Sequence, residues 1–75
     1  INAAWQMVFT GDPSGVSSTL QVSMDKTNWA TVDTGTNTAG EYRIVGGIVA
    51  KWMRVVLGTL TAGTAPTATA TLLIL

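Results

Sequence analysis

Few side chains in this sequence have the chemistry that catalysis requires. A hydrolytic site needs a nucleophile with a base, a pair of carboxylates or a metal ion. The serines, at positions 14, 17, 18 and 23, have no histidine to activate them, because the chain contains none. It also contains no cysteine, which excludes a disulfide framework and a thiolate metal site. We therefore expect no catalytic residue, no metal and no cofactor.

Two carboxylates, Asp25 and Asp33, flank a predicted hairpin and could approach each other across it. Paired carboxylates are the machinery of glycoside hydrolysis, but a domain this small has little room for the cleft that such a reaction needs. The simpler interpretation is that Asp25 caps a turn and that Asp33 is solvated. The sequence predicts a protein that is not an enzyme.

Three tryptophans could instead bind a ligand or a partner. Trp5 lies in phase with Met7, which favours a place in the core. Trp29 opens a strand directly after a turn, so we expect it to pack half-buried over the hairpin. Trp52 lies on the face opposite Met53 and is the best candidate for an exposed contact. If the protein binds carbohydrate, Trp29 and Trp52 are the candidate stacking residues.

The elements that position these residues show a period of two. In residues 16–24, Val16, Leu20, Val22 and Met24 share one face while polar residues occupy the other. No window has a helical period, and dense turn clusters separate the segments. The predicted strands are residues 3–10, 16–24, 29–34, 42–45, 51–60 and 68–75. This pattern predicts an all-β fold, a small antiparallel β-sandwich (jelly-roll or Ig-like) that forms a single domain over residues 1–75.

Composition points to association with other proteins. Charged residues make up 11% of the chain and the net charge is zero, whereas about a quarter of an average soluble domain is charged. No basic face is visible, so we expect no nucleic-acid partner, and no apolar run is long enough to span a membrane. We expect no signal peptide, and we interpret Ile1 in place of Met as the mark of a processed or trimmed product.

Apolar residues account for 47% of the chain, which indicates a surface partly covered by other subunits, although a neutral surface rich in threonine that needs no partner is the alternative. A chain of 75 residues without covalent cross-links gains stability from partners, so we expect a homo-oligomer. The candidate contact residues lie on the 51–60 strand and at the apolar end of the chain. They are Trp52, Arg54, Leu72, Leu73, Ile74 and Leu75.

The hairpin at residues 20–29 resembles the LQVSLDGTNW hairpin of small phage virion proteins, in which a strand ends in Ser-x-Asp and a Trp opens the next strand. Lys26 stands where these proteins commonly have Gly. Further segments resemble their opening strand and turn, their aromatic-x-Arg-Val strand and their closing GTSPTVTA segment. These segments are residues 5–16, 38–41, 51–56 and 63–70.

The resemblance implies a virion structural protein, a capsid decoration (cement) or tail-associated subunit that contacts its own copies and a major capsid or tail protein. The hairpin also resembles that of discoidin-like, galactose-binding β-sandwiches, which are about twice this length. That similarity leaves a carbohydrate-binding module as an alternative. A third possibility is a subunit of an extracellular filament, in which terminal strands pair with neighbouring subunits.

Overall fold

Six strands form two antiparallel sheets in the computed structural model, which describes residues 1–75. The strands are β1 (Ala3–Thr10), β2 (Gly15–Ser23), β3 (Trp29–Gly35), β4 (Glu41–Val45), β5 (Trp52–Thr61) and β6 (Thr67–Ile74). Sheet 1 has the order β4-β1-β6 and sheet 2 the order β3-β2-β5. The predicted all-β sandwich is confirmed, and every predicted strand end lies within one residue of the observed end. No helix suited to crossing a membrane is present.

The core lies between the two central strands, β1 and β2. Trp5 and Leu20 are its largest fully buried side chains, with 1% and 0% of their surface exposed. Because successive side chains of a strand point to opposite faces, Ala3, Trp5 and Met7 all reach this core from β1. Ile48, from the loop between β4 and β5, completes the cluster. The core position predicted for Trp5 is confirmed.

Two apolar residues, Met24 and Leu57, lie outside the core, although the alternation in residues 16–24 predicted a buried face for Met24. Met24 is 60% exposed because β2 ends at Ser23 and the chain enters a turn. Leu57 is 43% exposed, although it lies opposite the buried Ser18. It belongs to an edge strand, and the register between β2 and β5 shifts directly beside it.

A second irregularity, between β2 and β3, reverses the orientation of Asp33. Leu20 pairs with Asp33 whereas Gln21 pairs with Thr31, so Val32 is an extra residue in β3. A one-residue bulge moves the following side chain to the other face of the sheet. Asp33 therefore shares the inward face with Leu20, and the prediction that it is solvated is wrong.

Strand β4 is inverted relative to its apolar pattern. Arg43 pairs with Trp5 and Glu41 with Met7, so the two charged side chains lie on the inward face of sheet 1. The apolar side chains at positions 42 and 44 consequently lie on the outer face, where Tyr42 is 64% and Ile44 69% exposed. This inversion gives sheet 1 an apolar outer surface.

Candidate interaction surfaces

Asp33, turned inward by the bulge, is the centre of a polar network between the sheets. The indole Nε1 of Trp5 donates a hydrogen bond to Asp33 Oδ2 at 2.9 Å, and Arg43 Nε donates to the same oxygen at 2.7 Å. Arg43 Nη1 also donates to Glu41 Oε2 at 2.9 Å. The carboxylates of Asp33 and Glu41 are 14% and 16% exposed, whereas the Arg43 side chain is 39% exposed, so both ion pairs are only partly shielded from water.

The protonation of this network follows from its hydrogen bonds. Burial alone raises the pKa of Asp33, but the hydrogen bonds from Arg43, Trp5 and the backbone of Thr34 outweigh it and hold the pKa below its usual value. The backbone N–H of Asn37 and the Arg43 guanidinium likewise lower the pKa of Glu41. No buried side-chain polar atom lacks a partner. The network is therefore suited to joining the sheets.

Asp25 has a different role, at the turn between β2 and β3. Its Oδ1 accepts hydrogen bonds from the backbone N–H groups of Thr27 and Asn28, both at 2.8 Å, and from the Ser23 hydroxyl at 3.0 Å. These bonds, the one from the Asn28 backbone first, lower the pKa of Asp25 well below its usual range. The prediction of a turn-capping Asp25 is confirmed. Asp25 and Asp33 bind separate groups and do not form a carboxylate pair.

A cluster of tryptophans and cations lies on the outer face of sheet 2. Ser23 pairs with Trp29 on one side and with Trp52 on the other, so the two indoles flank β2. The Lys26 ammonium lies 4.0 Å from the centre of the Trp52 ring, and the Arg54 guanidinium lies 4.0 Å from the centre of the Trp29 ring. We call Gln21, Lys26, Trp29, Trp52 and Arg54 the tryptophan–cation cluster.

Local hydrogen bonds hold this cluster in place. Arg54 Nε donates to Gln21 Oε1 at 2.9 Å, which orients the guanidinium over the Trp29 ring. Trp29 Nε1 donates to the backbone carbonyl of Lys26 at 3.2 Å, so the second tryptophan of the sequence packs over its own turn. Trp29 is half-buried, as predicted, and Trp52 is 41% exposed.

Lys26 has a left-handed backbone, with φ of +65°. Glycine adopts this conformation without the steric cost that other residues incur. In this chain, the contact between the lysine ammonium and Trp52 offsets part of the cost.

The outer face of sheet 1 carries a second surface, which we call the apolar patch: Ala4, Tyr42, Ile44, Leu73 and Leu75. Ala4 of the central strand pairs with Ile44 on one side and with Leu73 on the other. Because alanine is small, these neighbours border a hollow of about 260 Å³. Leu73 and Leu75 are 55% and 79% exposed. The rest of this face is mainly polar, with threonines at the far end of β6, and Val8 of β1 is the one further large apolar side chain on it, 48% exposed.

The predicted contact residues do not form one surface. Trp52 and Arg54 belong to the tryptophan–cation cluster on sheet 2, whereas Leu73 and Leu75 belong to the apolar patch on sheet 1. Leu72 and Ile74 have the opposite orientation: Leu72 packs against the core, and Ile74 lies on the inward face at the sheet margin, 47% exposed.

Sequence reasoning missed Tyr42 and Ile44. The signal was the alternation of residues 41–45. Glu41 and Arg43 share one face with Val45, whereas Tyr42 and Ile44 share the other face. The charged face turns inward only because Asp33 provides a partner for Arg43 there. That partner comes from the other sheet, so β4 alone did not reveal its orientation.

Comparison of this chain with protein-family models, with curated proteins and with solved structures gave no match.

Proposed function

We propose that the protein is a non-catalytic structural component of a phage virion, either a capsid decoration (cement) subunit or a tail-associated subunit. It acts through contacts with other copies of itself and with a major capsid or tail protein. The apolar patch carries the proposal, because large exposed apolar side chains clustered on a rigid sheet are typical of surfaces that proteins cover on assembly. The resemblance to phage virion proteins over nearly the whole chain supports the same role.

The shape of the molecule suits this role. It extends 38 × 23 × 14 Å, so its broad faces are those of the two sheets. A face of that length and width is large enough for the roughly 800 Å² per partner that is ordinary in specific assemblies. Covering the patch contributes about 25 cal/mol for each Å² of apolar surface removed from water. Association thus adds to the small stability that a core of this size provides.

One observation favours the alternative of an extracellular filament subunit. Strands β4 and β6 are the edges of sheet 1, and β6 ends in apolar residues. An edge strand presents unpaired backbone groups to which a neighbouring strand can add. The carbohydrate-binding alternative has less support, because a cation lies over each of the two candidate stacking rings.

The test compares two substitutions on the same face of the same strand. Leu73→Lys places a charge in the apolar patch, whereas Thr69→Lys places one four residues away, outside it. Both residues are exposed, so neither substitution disturbs the core. Sedimentation velocity and mass photometry over a concentration series give the association constant of each variant. Co-sedimentation with capsids and tails of the parent phage tests attachment.

We expect Leu73→Lys to weaken self-association or attachment by at least about tenfold, since burying an unpaired charge costs more than the 1.4 kcal/mol that tenfold represents. Thr69→Lys should change it by less than about threefold. Equal losses in both variants would show that the patch is not the contact surface. A protein that stays monomeric and unattached under all conditions would contradict the proposal. Filaments of the purified protein, seen by electron microscopy, would replace it with the filament alternative.

A further inference from the structure

The charges of this molecule are distributed unevenly, although they sum to zero. Arg43 is the partner of two of the four carboxylates, those of Asp33 and Glu41. The remaining bases, Lys26, Lys51 and Arg54, form no salt bridge. All three come from the turn between β2 and β3 or from the start of β5, which are adjacent at one end of sheet 2.

The nearest carboxylate offsets only one of these three positive charges. Asp25 lies in the same turn, but its oxygens accept hydrogen bonds from Ser23, Thr27 and Asn28 and form no ion pair with Lys26. The fourth acid, Asp12, lies in the loop between β1 and β2, at the opposite end of β2. The tryptophan–cation cluster is therefore a locally positive surface.

The two cations of the cluster are positioned and have unused donors. Arg54 uses Nε to bind Gln21, and its two Nη groups donate to no group of the protein. The Lys26 ammonium lies on the Trp52 ring and likewise donates to no protein oxygen. A guanidinium held in one orientation loses little conformational entropy when a carboxylate binds it through two parallel hydrogen bonds.

We propose that the tryptophan–cation cluster binds a carboxylate-bearing segment of a partner protein. Arg54 binds one carboxylate through its Nη groups, and Lys26 binds the same or an adjacent acidic side chain. The geometry favours this ligand over a nucleic acid or a sugar. A base or a sugar ring that stacked on these tryptophan faces would have to displace the cations, whereas a carboxylate approaches them from outside. The surface lies on the sheet opposite to the apolar patch, so this inference does not depend on the proposed virion role.

The test uses hexaglutamate as the probe, titrated at low ionic strength and followed by tryptophan fluorescence and by the indole N–H signals of Trp29 and Trp52 in NMR spectra. Arg54→Gln removes the guanidinium that is proposed to donate hydrogen bonds to the carboxylate. Lys51→Gln is the matched control. It removes the same charge from a position directly before Trp52, and the Lys51 side chain lies over neither ring of the cluster. Arg54→Lys retains the charge but not the two parallel donors. Oligothymidylate and heparin are titrated for comparison.

We expect hexaglutamate to bind and Arg54→Gln to weaken binding about 10- to 100-fold, as loss of a charge-assisted hydrogen bond does. Arg54→Lys should weaken it severalfold, and Lys51→Gln by less than about threefold. Should Arg54→Gln fail to fold, Lys26→Gln in the exposed turn gives the same comparison. The inference is overturned if hexaglutamate does not bind, if Lys51→Gln has as large an effect as Arg54→Gln, or if oligothymidylate or heparin binds more tightly than hexaglutamate.

Discussion

The indole Nε1 of Trp5 lies 2.9 Å from Oδ2 of Asp33, and this hydrogen bond joins the central strand of sheet 1 to an edge strand of sheet 2. The same oxygen accepts a hydrogen bond from Arg43, on the neighbouring strand of sheet 1. A core tryptophan thus has its ring among apolar side chains and its one donor in an ionic network. The side where β3 and β4 meet is closed by this network.

Trp5→Phe should therefore destabilise the protein by at least about 2 kcal/mol, because it removes a hydrogen bond to a charged group and leaves a cavity. Urea unfolding followed by far-UV circular dichroism measures the loss. Trp29→Phe is the control, since it removes an indole hydrogen bond of the half-buried Trp29 near the surface and should cost less than about 1 kcal/mol. Equal losses in the two variants would show that the Trp5–Asp33 bond contributes little.

Leu20→Ala should cost about 2–4 kcal/mol, the range for truncating a fully buried side chain. Val55→Ala should cost less, about 1–2 kcal/mol, because Val55 is half-buried and the substitution removes two carbon atoms, whereas Leu→Ala removes three. Equilibrium unfolding in urea gives both values. A loss below about half a kcal/mol for Leu20→Ala would contradict the position of the core.

Acid should destabilise the fold. The pKa values of Asp25, Asp33 and Glu41 are all lowered in the folded protein. In the unfolded chain they are near the usual 3.9 for Asp and 4.3 for Glu. A carboxyl whose pKa is lowered by folding stabilises the fold above its unfolded pKa, and this contribution is lost as the pH falls through the folded value.

We therefore expect the free energy of unfolding to fall steadily below about pH 4. Urea denaturation at a series of pH values measures it. Asp33→Asn should be less stable at neutral pH, and its stability should depend less on acid, because one of the three carboxyls whose pKa folding lowers is gone. Stability that is unchanged or higher near pH 3 would contradict the carboxylate assignments.

Lys26 permits a test of backbone strain. Lys26→Gly and Lys26→Ala both remove the ammonium from the Trp52 ring, but only glycine adopts the +65° φ of this position without steric cost. The glycine variant should be more stable than the alanine variant by about 1 kcal/mol, after its greater freedom in the unfolded chain is counted. Thermal unfolding of the two variants makes the comparison. An alanine variant of equal or greater stability would mean that the turn changes conformation and so relieves the backbone strain at position 26.

The strands and most of the core followed from the sequence. Residues Val16, Leu20 and Val22 alternate with polar residues over a length that only a half-buried strand explains, and β2 lies there. The dense turn signals placed the hairpin loops within a residue, and Asp25 could be recognised as a turn cap because its hydrogen-bond partners are its own neighbours in sequence. Features that depend only on local backbone geometry can be predicted from the sequence before the fold is known.

The surfaces could not be predicted in the same way. A single extra residue in β3, Val32, turns Asp33 inward, and that carboxylate in turn holds Arg43 on the inward face of β4. Only this ion pair between Asp33 and Arg43, which joins the two sheets, exposes Tyr42 and Ile44 and so creates the apolar patch. The sequence by itself determined which segments are strands and that Trp5 and Leu20 are buried, because alternation is a local property. The tertiary structure decided which face of β4 meets solvent, because that depends on a partner ten residues away, across the sandwich.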